Sequence, residues 1–276
     1  MMRRKRLLSG LVYLAVISVT IVIAFPFLWL IVTALKPYPE IYAFPILYIP
    51  KNPTLEHFQY VFGLNFGRCF LNSVIVGTGT ALLTTGIALL PSYATAKFSF
   101  IGKKPMLLSI LICQMFPQIV FVIPFFLILR QVNLVNTYLG AMVSYLPFTT
   151  PVAVWLSRNF FAEVPKDIEE AALIDGCNRM QTFTKVVLPL ALPGTAAVGI
   201  YSFLFAWSEL MFALSFLSST SMQTIPVFLS LFVGQYQTRW GPLFAGSVVA
   251  SIPPIIVFGF LQKYFIRGLM SGSVKG

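Results

Sequence analysis

The chain has 276 residues, of which 58% are hydrophobic and 10% are charged, and its mean hydropathy is +0.86. A soluble domain carries about 25% charged residues, so this composition excludes an ordinary soluble protein and indicates an integral membrane protein. The formal net charge of +11 could suggest a nucleic-acid partner, but the basic residues cluster at the ends of apolar segments, where they act as topology signals. We therefore expect a lipid bilayer, and no nucleic acid, as the surroundings of the chain.

Six apolar segments are long enough to cross a bilayer, which takes about 20 helical residues. They predict an all-α integral membrane protein with a single transmembrane domain over residues 1–276. The first segment is much longer than the roughly 7–15 apolar residues of a signal peptide, so we expect it to be a retained span. The predicted spans are residues 7–35, 71–96, 106–129, 138–156, 190–217 and 243–265.

Lysine and arginine are distributed unevenly among the segments that join these spans. With the N-terminus in the cytoplasm, fourteen of them fall on the cytoplasmic side and five on the other side. Because cytoplasmic segments carry an excess of these residues, the distribution predicts that both termini are cytoplasmic. It places the segment between the fourth and fifth spans, residues 163–187, on the same side.

Two features of the first half of the chain concern packing. His57, the single histidine, lies in the first outer loop, and we expect a surface residue rather than a ligand or a switch. In the second span, Ser73, Gly77, Ala81 and Thr85 recur every four residues. Such a stripe of small residues lets membrane helices approach closely. The pattern leaves open whether the neighbouring helix belongs to this chain or to a partner subunit.

Three of the polar side chains inside the predicted spans are candidates for a functional role. Gln114 in the third span and Tyr145 in the fourth need hydrogen-bonding partners or a water-lined cavity. They therefore either join helices or line a translocation pathway. Glu209 is the one acidic residue within a predicted span, and at 1.5 Å per residue it lies about 28 Å along the fifth helix. At that depth it is either solvated at the outer surface or part of a pathway.

The segment of residues 163–187, here called the acidic platform, has an unusual composition for this chain. Five of the eight acidic residues fall between Glu163 and Asp175. Pro165 can begin a helix, since the first turn does not need its missing N–H. Gly176 can end that helix, since glycine adopts the left-handed backbone at little cost. We expect a helix of about ten residues, or roughly 15 Å.

A second helix is predicted to follow within the acidic platform. Asn178 can cap it, and Gln181, three residues later, completes the pattern of a capping box. The first helix would carry carboxylates at its rim and Ile168, Ala171 and Ala172 on one shared face. From composition alone, an ordinary solvated loop remains the alternative.

The acidic platform resembles the EAA motif of binding-protein-dependent ABC importers. That motif is Glu-Ala-Ala, three residues, Gly, nine residues, Ile, one residue and Leu-Pro. Here Glu170-Ala-Ala, Gly176, Val186 and Leu188-Pro189 have the same spacing, with Val186 in place of the isoleucine and Cys177 where the family often has alanine. The resemblance implies a cytoplasmic coupling helix between spans 4 and 5 that docks on an ATPase. It assigns this coupling to Glu169, Glu170, Ala171, Ala172, Asp175 and Gly176.

Other segments resemble the smaller permease subunit of carbohydrate ABC importers, the MalG type with the MetI-like fold. They are Thr33-Ala-Leu-Lys36, Asn72-Ser-Val, the Trp207–Glu209 region and the C-terminal tail, residues 268–276. The tail is implied to reach the ATPase through Gly272, Val274, Lys275 and Gly276. The last outer loop is implied to meet a solute-binding protein through Gln235, Tyr236 and Trp240. Gln114, Tyr145 and Glu209 are the candidates for lining the pathway.

The implied partners are a second, MalF-type permease, a homodimeric ABC ATPase and an extracytoplasmic solute-binding protein that delivers a sugar or oligosaccharide. The chain contains no Gly-x-x-x-x-Gly-Lys-Ser/Thr phosphate loop, so we expect a non-catalytic subunit without its own cofactor, whose partners bind ATP and Mg. The expected location is a prokaryotic cytoplasmic membrane. The alternatives are an importer permease for another solute, and a secondary transporter, which would need midplane ion sites and usually internal repeats.

Overall fold

The computed structural model describes residues 2–271, and the regular secondary structure of this part is helical apart from one isolated bridge between Val233 and Thr238. The predicted tail contacts Gly272, Val274, Lys275 and Gly276 lie outside the described residues. A 3₁₀ turn covers Gln118–Phe121 and a π-helical turn covers Thr182–Val187. The α-helices are α1 Met2–Ala34, α2 Tyr38–Ile41, α3 Glu56–Gly63, α4 Phe66–Lys97, α5 Lys103–Cys113, α6 Val122–Gln131, α7 Tyr138–Glu163, α8 Lys166–Ile174, α9 Arg179–Gln181, α10 Leu188–Leu190, α11 Leu192–Ser208, α12 Met211–Phe216, α13 Ile225–Ser230 and α14 Trp240–Ser271.

The chain divides into two compact units. One unit comprises residues 1–66 with 229–252, and the other comprises residues 67–228 with 253–276. The acidic platform and the helices that surround it belong to the second unit. The organisation as one transmembrane domain over residues 1–276 stays a prediction.

Four helices of the described part are long and apolar enough to cross a membrane. They are Leu11–Ala34, Phe66–Lys97, Tyr138–Glu163 and Trp240–Gly259. Most of the first helix is exposed, although Thr33 and Ala34 at its end are buried. Its exposed surface is therefore available to lipid or to another subunit. Two further helix pairs qualify as spans only if each bent pair counts as one, which gives between four and six candidate spans.

The predicted third span, residues 106–129, is not a continuous helix. α5 ends at Cys113, and the helical stretch Gln118–Gln131 leaves at an angle of 94°. Pro117 lies at the break in an extended conformation, with φ −60° and ψ 131°. Proline cannot donate a backbone hydrogen bond and restricts the residue before it, and both effects favour a break of the helix at this position.

The predicted fifth span, residues 190–217, is also interrupted. Arg179–Leu190 and Gly194–Ser208 meet at 76°, around Ala191 between two prolines of the sequence. A second interruption follows Ser208, where Glu209 has an extended ψ of 123° before α12 begins. The estimate of 28 Å along a continuous helix was therefore wrong for Glu209, since no single helix connects it to Leu190.

The core of the second unit packs α4 against α7 and α11. The hydroxyls of Thr84 and Thr149 lie 2.7 Å apart, and Ser92 donates to the Val154 carbonyl at 3.2 Å. A Cβ added at Gly77 would lie 2.9 Å from the Phe203 ring of α11. The small-residue stripe of α4 therefore packs against helices of the same chain, which settles the alternative that its pattern left open.

In the first unit, the start of the outer loop is built around buried polar groups. His57 is 1% exposed, and its Nε2 lies 2.8 Å from the Lys36 carbonyl, so the expectation of a surface residue was wrong. Lys36 is also buried: its ammonium donates to the Leu47 carbonyl and lies 4.3 Å from the centre of the Trp29 ring. Burial lowers the pKa of Lys36, and Glu40 partly opposes this effect. Lys36 thus holds the start of the loop against residue Leu47, in addition to its role as a positive charge at the end of the first predicted span.

Gly140, near the start of α7, has no room for a side chain. An added Cβ would overlap the Leu134 carbonyl oxygen, which is part of the backbone and cannot move aside. We predict that Gly140→Ala lowers the free energy of unfolding by about 1–3 kcal/mol, the usual cost of forcing a methyl group into a packed site.

The matched control is Gly86→Ala in α4, where an added Cβ meets nothing within 4 Å. This variant should be neutral or slightly stabilising, because alanine favours a helix over glycine. Thermal unfolding of both variants in detergent measures the difference. Equal midpoints for the two would show that the chain accommodates a Cβ at Gly140.

Candidate functional site

The first helix of the acidic platform, α8, begins and ends as its sequence predicts. Pro165 precedes Lys166 as the N-cap, and Gly176 follows the helix with a positive φ of 87°. The Gly176 N–H donates to the Leu173 carbonyl at 3.1 Å and the Cys177 N–H donates to the Ala172 carbonyl at 3.0 Å. These two bonds are a Schellman motif, which satisfies the last carbonyls of the helix. α8 is therefore a rigid nine-residue element.

The cap of the second helix is also confirmed, although the helix itself is irregular. Asn178 Oδ1 accepts the Gln181 N–H and Gln181 Oε1 accepts the Asn178 N–H, both at 2.9 Å. After only one turn, α9 passes into the π-helical turn Thr182–Val187 and then into Leu188-Pro189. The segment that carries the second half of the EAA pattern is thus wider than an α-helix, a distortion often found at functional sites.

The side chains of the predicted coupling set fall on two sides of α8. Glu170, Ala171 and the residues at its end, Asp175 and Gly176, are exposed, and Ile174 is 86% exposed. Glu169 and Ala172 are buried. The prediction that Ala172 shares an open face with Ala171 was therefore wrong, since consecutive residues lie about 100° apart around a helix of 3.6 residues per turn. The outward face combines one apolar patch with two carboxylates.

Glu169 points into the protein and forms a buried ion pair. Its Oε1 lies 2.6 Å from Lys97 Nζ, and its Oε2 accepts a hydrogen bond from the Tyr93 hydroxyl at 3.0 Å. The side chains of Lys97 and Glu169 are only 5% and 8% exposed. Lys97 also donates to the Val164 carbonyl, between α7 and α8. Glu169 is therefore not one of the exposed carboxylates that the sequence predicts at the rim of α8, because it binds Lys97 and Tyr93 of the same chain.

An aromatic cluster lies around this ion pair. The Tyr93 ring has its centre 4.8 Å from that of Phe183 and 5.8 Å from that of Phe161. Val164, Val187 and Ala191 complete the buried part of the cluster. The cluster joins α4, the end of α7 and the π-helical turn, so the acidic platform rests on a packed base.

Glu209 occupies the break between α11 and α12 and is 8% exposed. Its carboxylate accepts the N–H groups of Phe212 at 2.9 Å and Ala213 at 3.1 Å. The Tyr145 hydroxyl lies near this carboxylate. Within the part of the chain that the structure describes, this hydroxyl makes no hydrogen bond of standard geometry. The alternative of a solvated Glu209 was wrong, because the side chain caps α12 from inside.

Gln114, at the end of α5, donates from Nε2 to the Phe148 carbonyl of α7 at 2.9 Å. This contact joins the broken third span to α7. Gln114 itself is exposed. Of its two predicted roles, the contact favours helix joining, and pathway lining by Gln114, Tyr145 and Glu209 stays a prediction.

The predicted last outer loop, residues 218–240, contains a tight turn at residues 233–238, which lies within the first unit. Val233 and Thr238 make an isolated antiparallel bridge, and Gln235 and Tyr236 lie at the tip. Tyr236 is 95% exposed, an unusual state for a large aromatic side chain.

The base of this turn is fixed by side chains of the same unit. Arg239 donates to the Tyr60 hydroxyl at 2.9 Å, and this bond raises the pKa of Arg239. The Tyr42 hydroxyl donates to the Thr238 carbonyl at 3.0 Å. Trp240, the third predicted contact residue, is 41% exposed and packs against Phe244.

Comparison with known families identifies the architecture. Residues 87–271 match the family described as "Binding-protein-dependent transport system inner membrane component". This match covers more than half of the chain and includes the whole acidic platform. The chain belongs to this family of ABC importer permeases. The EAA assignment made from the spacing of Glu170, Gly176 and Leu188-Pro189 agrees with this membership.

Curated relatives match over nearly their full length. The trehalose/maltose transport system permease protein MalG of Thermococcus litoralis is 34% identical, with 100% of both chains covered. The diacetylchitobiose uptake system permease protein DasC of Streptomyces coelicolor is 34% identical over 99% of this chain and 100% of its own. The trehalose transport system permease protein SugB of Mycobacterium tuberculosis is 35% identical over 91% and 92% of the two chains.

Solved structures support the same fold. A chain of a bacterial ABC transporter involved in the import of the acidic polysaccharide alginate superposes with a TM-score of 0.76, at 21% identity over 95% of this permease and 98% of that chain. A chain of the alginate transporter in complex with an alginate pentasaccharide-bound periplasmic protein gives a TM-score of 0.67 at 14% identity, with 96% of each chain covered.

Sequence reasoning missed the two partners of Glu169. The sequence marks Lys97 only as one of the fourteen basic residues on the predicted cytoplasmic side, and Tyr93 belongs to none of its motifs. Their spacing of four residues places both on one face of α4. A lysine and a tyrosine on one face at the end of a span were the available signal, but nothing in the sequence connects them to an acid 72 positions later.

Glu209 should support the stability of this permease through its bonds to α12. We predict that Glu209→Ala lowers the free energy of unfolding by about 1–3 kcal/mol, because it leaves two buried N–H groups without an acceptor. Glu209→Gln should cost less, since its amide oxygen can still accept one bond.

Ser208→Ala is the matched control, because Ser208 is exposed and its hydroxyl donates only to carbonyls of its own helix. The thermal unfolding midpoints of the three variants, measured in detergent, rank their stabilities. A Glu209→Ala variant as stable as Ser208→Ala would contradict the capping role.

Proposed function

We propose that this permease is one of two membrane subunits of an ATP-driven importer for a sugar or an oligosaccharide. It would form half of the translocation pathway beside a MalF-type permease. A homodimeric ABC ATPase would bind ATP and Mg on the cytoplasmic side, and an extracytoplasmic solute-binding protein would deliver the sugar. The complex would lie in a prokaryotic cytoplasmic membrane, with both termini of this chain and the acidic platform in the cytoplasm.

The outward face of α8 is the observation that carries this proposal. Its exposed apolar patch, Ala171 and Ile174, has Glu170 and Asp175 at its edge. A short rigid helix with a small alanine at its centre can enter a groove closely, and an exposed carboxylate can pair with a basic residue there. The exposed aliphatic side chain of Ile174 would lose its contact with water on docking.

Sugar as the solute rests on the relatives. Three of them are named for trehalose or maltose, for diacetylchitobiose and for trehalose, at 34–35% identity. A shared preference for small oligosaccharides favours the same class here. In a maltose-type pair the larger permease holds the sugar, so this chain would make few direct contacts with it.

The mechanism that we propose is alternating access. Closure of the ATPase dimer on ATP would draw the coupling helices of the two permeases together. The movement would pass into the spans and turn a cavity between the permeases from inward-facing to outward-facing. Hydrolysis would reset the complex. The tail residues Gly272, Val274, Lys275 and Gly276 are proposed as an additional contact with the ATPase.

Purification from native membranes in mild detergent tests the assembly, with the accompanying chains identified by mass. We expect a second permease and an ATPase. A chain that is purified alone and moves sugars into vesicles without ATP would overturn the proposal in favour of a secondary transporter.

Glu170→Lys should abolish ATP-dependent uptake and the recovery of the ATPase with the complex, because it places a cation against a basic groove. Membrane insertion should be unchanged, since Glu170 is exposed. The matched control is Asp167→Lys, which makes the same charge change at another exposed position of α8. If both variants lose the ATPase equally, the effect belongs to the net charge of the helix and not to Glu170.

The tip of the last outer loop provides a test on the opposite side. Tyr236→Ala should reduce the stimulation of ATP hydrolysis by the solute-binding protein by about fivefold or more, as expected when a well-packed aromatic contact worth about 1–2 kcal/mol is lost. Basal hydrolysis should not change, because the side chain is 95% exposed. Tyr48→Ala, at another exposed aromatic residue, serves as the control. Full stimulation in the Tyr236 variant would remove this loop from the interface.

A further inference from the structure

The buried ion pair beneath α8 connects the acidic platform to a helix that is distant in sequence. α8 follows α7 directly and leads through residues 175–191 into α11, so covalent connection alone would pass its motion to those two helices. Lys97 and Tyr93 lie at the end of α4, which precedes the platform by about seventy positions. Lys97 Nζ lies 2.6 Å from Glu169 Oε1, and the Tyr93 hydroxyl donates to Oε2 at 3.0 Å.

Lys97 holds the platform at two places. Besides the carboxylate of Glu169, its ammonium donates to the Val164 carbonyl, at the bend where α7 ends and α8 begins. The attachment therefore fixes the position of α8 and also its angle to α7. Both charged side chains are shielded from water, so salt and solvent screen their attraction far less than on a surface.

The surroundings of the pair give it a firm base. Tyr93 packs between Phe161 of α7 and Phe183 of the π-helical turn. Farther along α4, Ser92 donates to the Val154 carbonyl, and Thr84 bonds with Thr149. A force on α8 is therefore transmitted to α4 through a continuous set of packed side chains.

We propose that Glu169, Lys97 and Tyr93 form a coupling latch that makes α8 and α4 move as one body, so that the ATPase drives the second span directly. This inference rests on the proposed function and adds a route to it. Glu169 is then a positioning residue that acts inside the chain, and Glu170 is the residue that faces the ATPase. The two adjacent glutamates have different tasks because they point in different directions.

A plain role in folding is the alternative, and the choice of variants separates the two. A single substitution leaves the other charge buried without a partner and is expected to unfold the region. The double variant Lys97→Met/Glu169→Gln removes both charges and keeps similar volumes. Its matched control, Lys104→Met/Asp167→Asn, removes one exposed cation and one exposed anion at nearby positions.

The experiment measures the distance between spin labels on α8 and α4 in the purified complex in lipid nanodiscs. The labels are attached to Lys166→Cys at the start of α8 and Leu90→Cys in α4, which are exposed positions outside the proposed docking patch, after Cys69, Cys113 and Cys177 are replaced by alanine. Distances are recorded by pulsed electron paramagnetic resonance without nucleotide and after trapping with ATP and vanadate. Thermal unfolding of each complex is measured in parallel.

With the native residues, and with the control pair, we expect one narrow distance that is the same in both nucleotide states. In Lys97→Met/Glu169→Gln we expect the distance to shift or broaden on trapping, at an unchanged unfolding midpoint. A double variant that keeps a single unchanged distance overturns the latch. A complex that contains no ATPase overturns the proposed function instead, and the latch with it.

If the double variant does not assemble, Tyr93→Phe decides the question. This substitution removes one hydroxyl and keeps the ring in its cluster, so assembly should be retained. We expect a broadened distance after trapping with ATP and vanadate. A distance as narrow as in the native complex would overturn the latch.

Discussion

The ion pair between Lys97 and Glu169 sets the orientation of the acidic platform. Removing one partner of a buried ion pair typically costs about 3–5 kcal/mol, because the other charge is left without compensation. α8 therefore cannot rotate about its axis without losing this contact and the Tyr93 hydrogen bond. With Glu169 held inward, the helical repeat turns Glu170, Ala171 and Ile174 toward the cytoplasmic side that we propose. The face of α8 that we propose for docking thus depends on a buried contact that a docking partner would not touch.

The breaks in the predicted spans follow a related rule. Inside a membrane, backbone N–H and carbonyl groups need partners within the protein, so a helix can stop only where other groups replace its hydrogen bonds. At the end of α11 the carboxylate of Glu209 accepts two N–H groups of α12. At the end of α5, Gln114 donates to a carbonyl of α7. Glu209 therefore satisfies interrupted backbone at one break, and Gln114 joins the end of α5 to α7 at the other.

Much of the local structure could be predicted from residue chemistry. Pro165 and Gly176 bound a helix because of their backbone properties, and the capping box of Asn178 and Gln181 forms from groups three residues apart. The apolar lengths locate the spans for the same reason, since they reflect the thickness of a bilayer. Family membership followed from the spacing Glu170, Gly176 and Leu188-Pro189, which is also a local pattern. The prolines at the breaks can also be read from the sequence. A proline predicts either a kink or a complete break, however, and the contacts around it in the folded chain determine which of the two forms.

By itself, the sequence determined that this is a helical membrane protein of the importer permease family with a short capped helix between its fourth and fifth predicted spans. Only the tertiary structure decided which faces of that helix are open, because the direction of Glu169 depends on Lys97 and Tyr93, far away in the chain. It also decided that His57 is buried and that Glu209 caps a helix from inside. For Glu169 and His57 the deciding partner is a group that chain folding brings close, and the pairing of distant residues leaves no periodic trace in a single sequence. For Glu209 the partners are local, but they become available only because α11 stops at Ser208, which the apolar run did not reveal.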